Sequence, residues 1–329
     1  MTAMRVLVTG GTSLLARRTA EALVARGDDA VLLQRSASPT DIEQVLGDVR
    51  DADLVLRAVD GCDAVIHAAA KVGVVGAWED YRSINVDGTA NVVAAARQHG
   101  VSRVVHVSTP SVAHAGHSLV GAPASPAVTG RTDAHYAESK AIAERLALGA
   151  ASDALPLVAV RPHLVWGPGD TQLVGRIVER ARTGRLALVG GGTALIDTTY
   201  IDNAASALVA ALDAAVPGAA CIGRAYVIAN GEPRPIRELI EGILHAAGVQ
   251  VTPRNVPLRA ATLAGSVVER LWPLRHPDVE PPLTRFLAEQ LGTAHWFDPR
   301  PARDDLAWTP TVTIDQGLEH LTAWFAANP

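Results

Sequence analysis

Tyr136 and Lys140 stand four residues apart in Tyr136-Ala137-Glu138-Ser139-Lys140, so on a helix they share one face. A phenol titrates near pH 10 and is a poor proton donor or acceptor at neutral pH unless a nearby cation stabilises its phenolate. An ammonium on the same helix face is such a cation. Lysine occurs only at positions 71 and 140, and tyrosine four times in 329 residues. Chance then supplies about 0.02 Tyr–Lys pairs at this spacing, so an incidental surface pair explains it poorly. The pair reads as acid/base machinery. Val107-Ser108-Thr109-Pro110-Ser111 offers three hydroxyls as partners; loop serines usually close turns, so one of the three is expected to touch substrate.

A second set of residues would hold a dinucleotide. Val8-Thr9-Gly10-Gly11-Thr12-Ser13-Leu14-Leu15-Ala16 follows the first apolar run and opens a helical pattern. Glycines there permit a tight turn and close approach of backbone to a pyrophosphate, which the helix N-terminus stabilises. Ser13 and Ala16 replace the second and third glycines of the full pattern, and their small side chains leave the space nearly open. Gly10, Gly11, Ser13, Leu14 and Leu15 are the expected contacts. The second strand ends Leu33-Gln34-Arg35-Ser36, without a carboxylate to accept from ribose hydroxyls. Arg35 suits a 2′-phosphate, which favours NADPH, with NAD as the alternative; the bland reading is a solvated arginine. Asp48, in Gly47-Asp48-Val49, can accept from an adenine amino group, and His67-Ala68-Ala69 leaves room for a cofactor. Either segment alone would pass for an ordinary strand end.

These residues need a scaffold that brings strand ends together. Apolar runs at 5–9, 30–33, 44–46, 64–68, 103–108 and 157–161 alternate with helical patterns at 14–26, 53–59 and 80–99. That alternation predicts an α/β fold, a doubly wound parallel sheet of Rossmann type. Residues 1–166 form the dinucleotide-binding part, with 197–229 returning to it. Pro and Gly punctuate the rest, so 167–196 and 230–329 read as a smaller substrate lobe with short helices such as 236–246. Asn85 falls inside the 80–99 helix as a supporting amide.

Composition narrows the partners. The chain is 48% hydrophobic and 19% charged with a net charge of −5, which excludes a disordered chain and argues against nucleic acid. Two cysteines cannot build a disulfide framework, and His114 and His117 lack neighbours at metal-ligand spacing, so no metal is expected. No signal segment opens the sequence, and Asp213 and Pro217 interrupt the longest apolar stretch, 204–222. A cytoplasmic protein without a transmembrane segment is expected. The amphipathic stretch 258–274 reads as a lid over an acyl chain, a peripheral membrane contact, or a helix packed on the sheet domain. His163 could face a substrate or pack in a loop, and Arg161 and Arg285 are candidates for holding a substrate carboxylate.

Together the glycine turn, Gly47-Asp48, His67-Ala68-Ala69, Asn85-Val86-x-Gly88-Thr89, Tyr136-x-x-x-Lys140, Arg161-Pro162 and Gly167-Pro168-Gly169 resemble the extended short-chain dehydrogenase/reductase superfamily over essentially the whole chain. The resemblance implies that Tyr136 is the general acid/base. Lys140 lowers its pKa and holds the nicotinamide ribose, and Thr109, with Ser108 as fallback, polarises the carbonyl. Rarer strings, among them Ser108-Thr109-Pro110-Ser111-Val112, Asp197-Thr198-Thr199-Tyr200-Ile201-Asp202-Asn203 and Pro281-Pro282-Leu283-Thr284-Arg285-Phe286, are similar to one subgroup. It comprises the 2-alkyl-3-oxoalkanoate reductases of bacterial olefin biosynthesis, relatives of the 3β-hydroxysteroid dehydrogenases. That implies reduction of a long-chain, lipid-like β-keto acid by NADPH, a homodimer, and a β-lactone-forming ligase as partner. The rivals are NAD-dependent sterol oxidation, a nucleotide-sugar epimerase or dehydratase, and a non-catalytic NADP-binding regulator. Leu164 and Trp166 stand where sugar-nucleotide enzymes usually carry Asn and Tyr. His135 replaces a frequent proline.

Overall fold

The computed structural model describes residues 3–73, 75–113, 118–130, 134–272, 281 and 283–328, except the side chain of residue 286. His114, His117 and part of the 258–274 stretch lie outside them. Seven strands form one parallel sheet: β1 (Arg5–Thr9), β2 (Asp29–Gln34), β3 (Glu43–Leu46), β4 (Ala64–His67), β5 (Arg103–Val107), β6 (Leu157–Pro162) and β7 (Ala225–Ile228). Their order is β7-β6-β5-β4-β1-β2-β3. The chain reverses its direction of travel between β1 and β4, and a crevice opens there at the carboxyl ends of the strands.

Strand periodicity explains the two-faced core. Val6 and Val8, Ala64 and Ile66, and Val105 pack on one side with helices α1 (Leu14–Ala25) and, from beyond β6, Ile201–Ala214. Leu7, Val65 and Val104 pack on the other side with α2 (Ala52–Val59), α3 (Gly88–Gln98) and α4 (His135–Gly149). All six strand residues of β1 and β4 named here are fully buried, as a doubly covered parallel sheet requires. The apolar stretch 204–222 thus supplies a core helix, and among the described residues no helix is long and apolar enough to cross a membrane.

The expected helix over 80–99 is broken up. A single turn, Trp78–Tyr81, runs into a π-helical stretch, Arg82–Asp87, before α3 begins. The wider turns carry the Asn85 side chain back onto the loop after β4, where it bonds the backbone of Lys71 on both sides.

A third hydrophobic cluster gathers residues from beyond the sheet. It joins Trp166, Tyr200 and the helices α5 (Val174–Arg182), α6 (Ile201–Ala214, the core helix above), α7 (Ile236–Ala246) and, at the C-terminus, Ile314–Ala327. Thr313 and Gln316 start the last helix with a reciprocal capping box. A small sheet joins Arg234–Pro235, Leu195–Ile196, His295–Phe297 and Leu119–Ala122 in that order, so the segment beyond β5 is stitched to distant sequence. Helix α8 (Leu258–Leu271) crosses α9 (Arg285–Gly292) closely: a Cβ on Gly265 would lie 2.5 Å from the Arg285 nitrogen. Leu263, Val267 and Leu271 form an exposed stripe on α8.

One buried ion pair ties the site helix to the sheet. Arg161 on β6 donates from Nε to Glu144 on α4 at 2.7 Å and from its other nitrogens to Glu144 and the Ser125 carbonyl. Both side chains are 1% exposed. Glu144→Ala strands a buried guanidinium, so it is expected to lower the unfolding free energy by about 3–5 kcal/mol. Urea denaturation measures this; a loss under about 1 kcal/mol would show that water reaches the pair.

Candidate functional site: a nucleotide groove beside a Thr–Tyr–Lys cluster

The glycine turn is dictated by its neighbours as much as by any ligand. Gly10 has φ +81°, and a Cβ there would stand 2.8 Å from the Ala69 backbone. A Cβ on Gly11 would stand 2.4 Å from Gln34 Oε1. Ser13 caps α1 by accepting from the Ala16 amide at 3.2 Å, and no acidic residue occupies the first turn. The helix N-terminus therefore keeps its positive character towards the crevice. Leu14 and Leu15 pack against the third hydrophobic cluster and join it to the groove floor.

At the ends of β2 and β3, Gln34 is buried and bonded to Ser38 and Gln44, while its Oε1 has no partner. Arg35 is exposed and adds to the pull that lowers the Asp48 pKa. The larger cause is Arg50, which grips Asp48 with two hydrogen bonds of 3.0 and 2.8 Å. Asp48 is therefore already engaged, and two guanidiniums flank it. Val49 is buried against Gly88 and accepts from Asn91 through its carbonyl.

His67 has a different place from the one its motif suggests. It is 2% exposed, with Nδ1 at 2.7 Å from Thr9 Oγ1 and Nε2 at 3.0 Å from Thr89 Oγ1. The ring is an internal strut between β1 and α3, while Ala68 and Ala69 beyond it are only partly buried. His163 likewise packs inward, with Nδ1 at 2.6 Å from the Asp197 carbonyl and its ring on Phe297. Arg161 is consumed by Glu144 and Arg285 pairs with Glu289, so the carboxylate role considered for them has no free group behind it.

Helix α4 brings the chemistry together. Burial and the neighbouring Tyr81 push the Tyr136 phenol up to about 12, against an opposing pull from the Thr109 side chain. Ser108 is buried and its hydroxyl has no partner, while Thr109 also contacts Ser111 at 3.0 Å. Lys140 donates to the Val107 carbonyl at 2.6 Å and lies 3.5 Å from His106 Nε2. Burial pulls its ammonium down to about 8, against an opposing pull from Glu144. Burial and the Lys140 charge hold His67 and His106 neutral. Ser139, which sequence reasoning passed over, accepts from Asn85 Nδ2 and donates to the Tyr136 carbonyl, both at 2.9 Å. Glu144 and Tyr81 were also missed. A carboxylate among the small residues Ala141, Ala143 and Ala147 was the signal available for Glu144.

The groove fits a dinucleotide: a glycine turn, an uncompensated helix N-terminus, the exposed guanidinium of Arg35, and an orphaned Ser108 hydroxyl just past β5. The cluster fits proton transfer to an oxygen held between Thr109 and Tyr136.

Lys140 carries a cost in the empty protein. Its ordinary pKa is 10.5, so between pH 8 and 10.5 the unfolded chain binds a proton that the folded chain lacks. Stability therefore rises with pH across that window, and below pH 8 the full penalty is present. Lys140→Met is expected to raise the unfolding free energy at pH 7 by up to about 3 kcal/mol, a gain that shrinks by pH 9.5. Denaturation at both pH values measures it; a variant less stable than wild type at pH 7 would refute it.

Three comparisons fit this geometry. The profile of the NAD dependent epimerase/dehydratase family matches residues 6–229. The chain is 48% identical to a 2-alkyl-3-oxoalkanoate reductase of Stenotrophomonas maltophilia, over 98% of this chain and 100% of the relative. It is 30% identical to a 3-beta-hydroxysteroid dehydrogenase of Mycolicibacterium neoaurum, over 98% and 90%. The crystal structure of the Bordetella bronchiseptica enzyme WbmH in complex with NAD+ superposes with a TM-score of 0.74 at 21% identity, covering 99% of this chain and all of that one. The chain belongs to the NAD dependent epimerase/dehydratase family, the extended short-chain dehydrogenases/reductases, and is an oxidoreductase.

Proposed function

We propose that this protein reduces the ketone of a long-chain 2-alkyl-3-oxoalkanoate to the 3-hydroxy acid with NADPH, as a step in olefin hydrocarbon formation. The carrying observation is that Lys140 bonds the Val107 carbonyl, which holds the Tyr136 helix against the Ser108–Thr109 end of β5, on a chain alike over its full length to a relative of that activity. Bound NADPH supplies the hydride to the carbonyl carbon. As negative charge grows on the carbonyl oxygen, Thr109 donates to it and Tyr136 delivers a proton. Burial raises the phenol's pKa and so opposes proton release, and a cationic Lys140 on the same helix face is the group that would stabilise the phenolate left behind. The neutral histidines beneath leave Lys140 as the cation of the site floor.

Arg35 is the group assigned to the 2′-phosphate, with Arg50 beside Asp48 adding to the field. The apolar stripe Leu263, Val267 and Leu271 is a surface for an acyl chain or a membrane leaflet. A 3-hydroxy acid product calls for an acid-activating ligase as the next enzyme. Trp166 argues against a sugar nucleotide, because its indole is buried, bonded to Thr198 and stacked edge-on against Tyr200. A second reading, NAD-dependent oxidation of a 3β-hydroxysteroid, rests on the 30% identical relative.

The test is oxidation of NADPH, and separately NADH, by purified protein with a long-chain 2-alkyl-3-oxoalkanoate. Turnover with NADPH is expected to fall about 10²–10⁴-fold in Tyr136→Phe. Arg35→Ala is expected to raise the KM for NADPH about tenfold and to leave NADH nearly unchanged. NADH preference together with turnover of sterols alone would replace this reading with the second one.

A further inference from the structure

A β-keto acid differs from a sterol in carrying a carboxylate close to the reacting ketone, and a site for it needs a cation near Tyr136. Three described cations can be set aside. Lys140 is committed beneath the tyrosine, Arg161 is saturated by Glu144 and Ser125, and Arg285 is an exposed side chain paired with Glu289. We infer that Lys71, the second of the two lysines, is the carboxylate-recognition group of this site; the inference rests on the 3-oxo acid reading above.

The residues around Lys71 are arranged to aim it. Asn85 Oδ1 accepts from the Lys71 amide at 2.7 Å, and Asn85 Nδ2 donates to its carbonyl at 3.0 Å. The same amide nitrogen donates to Ser139, which is bonded to Tyr136, so one side chain registers Lys71 against the catalytic helix. The Lys71 ammonium stands 5.1 Å from the centre of the Tyr81 ring. Tyr81 is fully buried, donates to the Val75 carbonyl at 2.9 Å, and is close enough to act electrostatically on Tyr136. His135, the residue before Tyr136, packs edge-on against Tyr81 at 5.9 Å. Gly76, with φ +120°, leaves room for the ammonium: a Cβ there would stand 2.9 Å from Lys71 Cε and Nζ. The ammonium thus lies against Tyr81, the ring that also packs on His135, the residue next to the proton donor.

Its present counter-charge is loose. Asp80 lies 3.7 Å away, beyond the usual length of a charge-assisted hydrogen bond, and its side chain is 56% exposed.

The deciding experiment compares the sodium salt of a long-chain 2-alkyl-3-oxoalkanoate with its methyl ester, at saturating NADPH, in wild type, Lys71→Met and Lys71→Arg. The acid-to-ester ratio of kcat/KM is expected to fall about tenfold in Lys71→Met and to recover in Lys71→Arg, with NADPH affinity held within about twofold. Equal losses on acid and ester, or weakened NADPH binding in their place, would overturn the inference, since Lys71 would then serve the fold or the cofactor phosphates. A wild type that takes acid and ester equally well also overturns it and leaves the ketoreductase reading intact. A wild type that turns over neither, while binding NADPH, sinks the parent reading and this one with it.

Discussion

Keeping one ammonium charged inside the protein is the constraint on which the site depends. Lys140 is 3% exposed, and desolvation pulls its pKa down to about 8. The Val107 carbonyl takes one of its hydrogens, and Glu144, one helical turn further on, supplies an opposing charge. Glu144 is itself buried and needs Arg161, which needs the Ser125 carbonyl. A line of three charges therefore runs from α4 through β6 to the loop beyond β5. Tyr136, carried on the same helix four residues before Lys140, inherits its position from that line. His106 and His67 are neutral first through their own burial, and the charge of Lys140 beside them acts in the same direction.

Small side chains open the groove next to this cluster. Gly10 meets the Ala69 backbone and Gly11 meets Gln34, so the turn after β1 lies flat against the ends of β2 and β4. This close packing at the reversal of strand order leaves the α1 amides facing the crevice. The same economy recurs at Gly76 beside Lys71 and at Gly265 beneath the start of α9. Each glycine stands where another group must come closer than a Cβ allows.

Much of this was legible in advance. Buried strands of a parallel sheet announce themselves as short β-branched runs, and β1 was read to the residue. The boundaries of α7 also matched the reading, since an apolar stripe at helical spacing sits between proline and glycine. The Tyr136–Lys140 spacing needed only helix geometry. The π-helical stretch at Arg82–Asp87 was not legible, because its cause is the grip of Asn85 on Lys71, fourteen residues away. The small sheet escaped notice for a related reason: strands of two to four residues have no period to read, and their partners lie far off in sequence.

The sequence by itself determined six of the seven sheet strands, though not β7, together with the helix that holds tyrosine and lysine and the dinucleotide character of the groove, because those follow from local periodicity and fixed short spacings. Tertiary structure alone decided the state and the use of the charged groups. Arg161, read as a free candidate for substrate, is spent on Glu144; His67, read as a groove residue, is a strut between Thr9 and Thr89. Lys71 and Tyr136, 65 positions apart, are joined through Asn85 and Ser139. Whether a buried charge is available depends on which partners lie within a few ångströms of it, and only the folded chain brings those partners there.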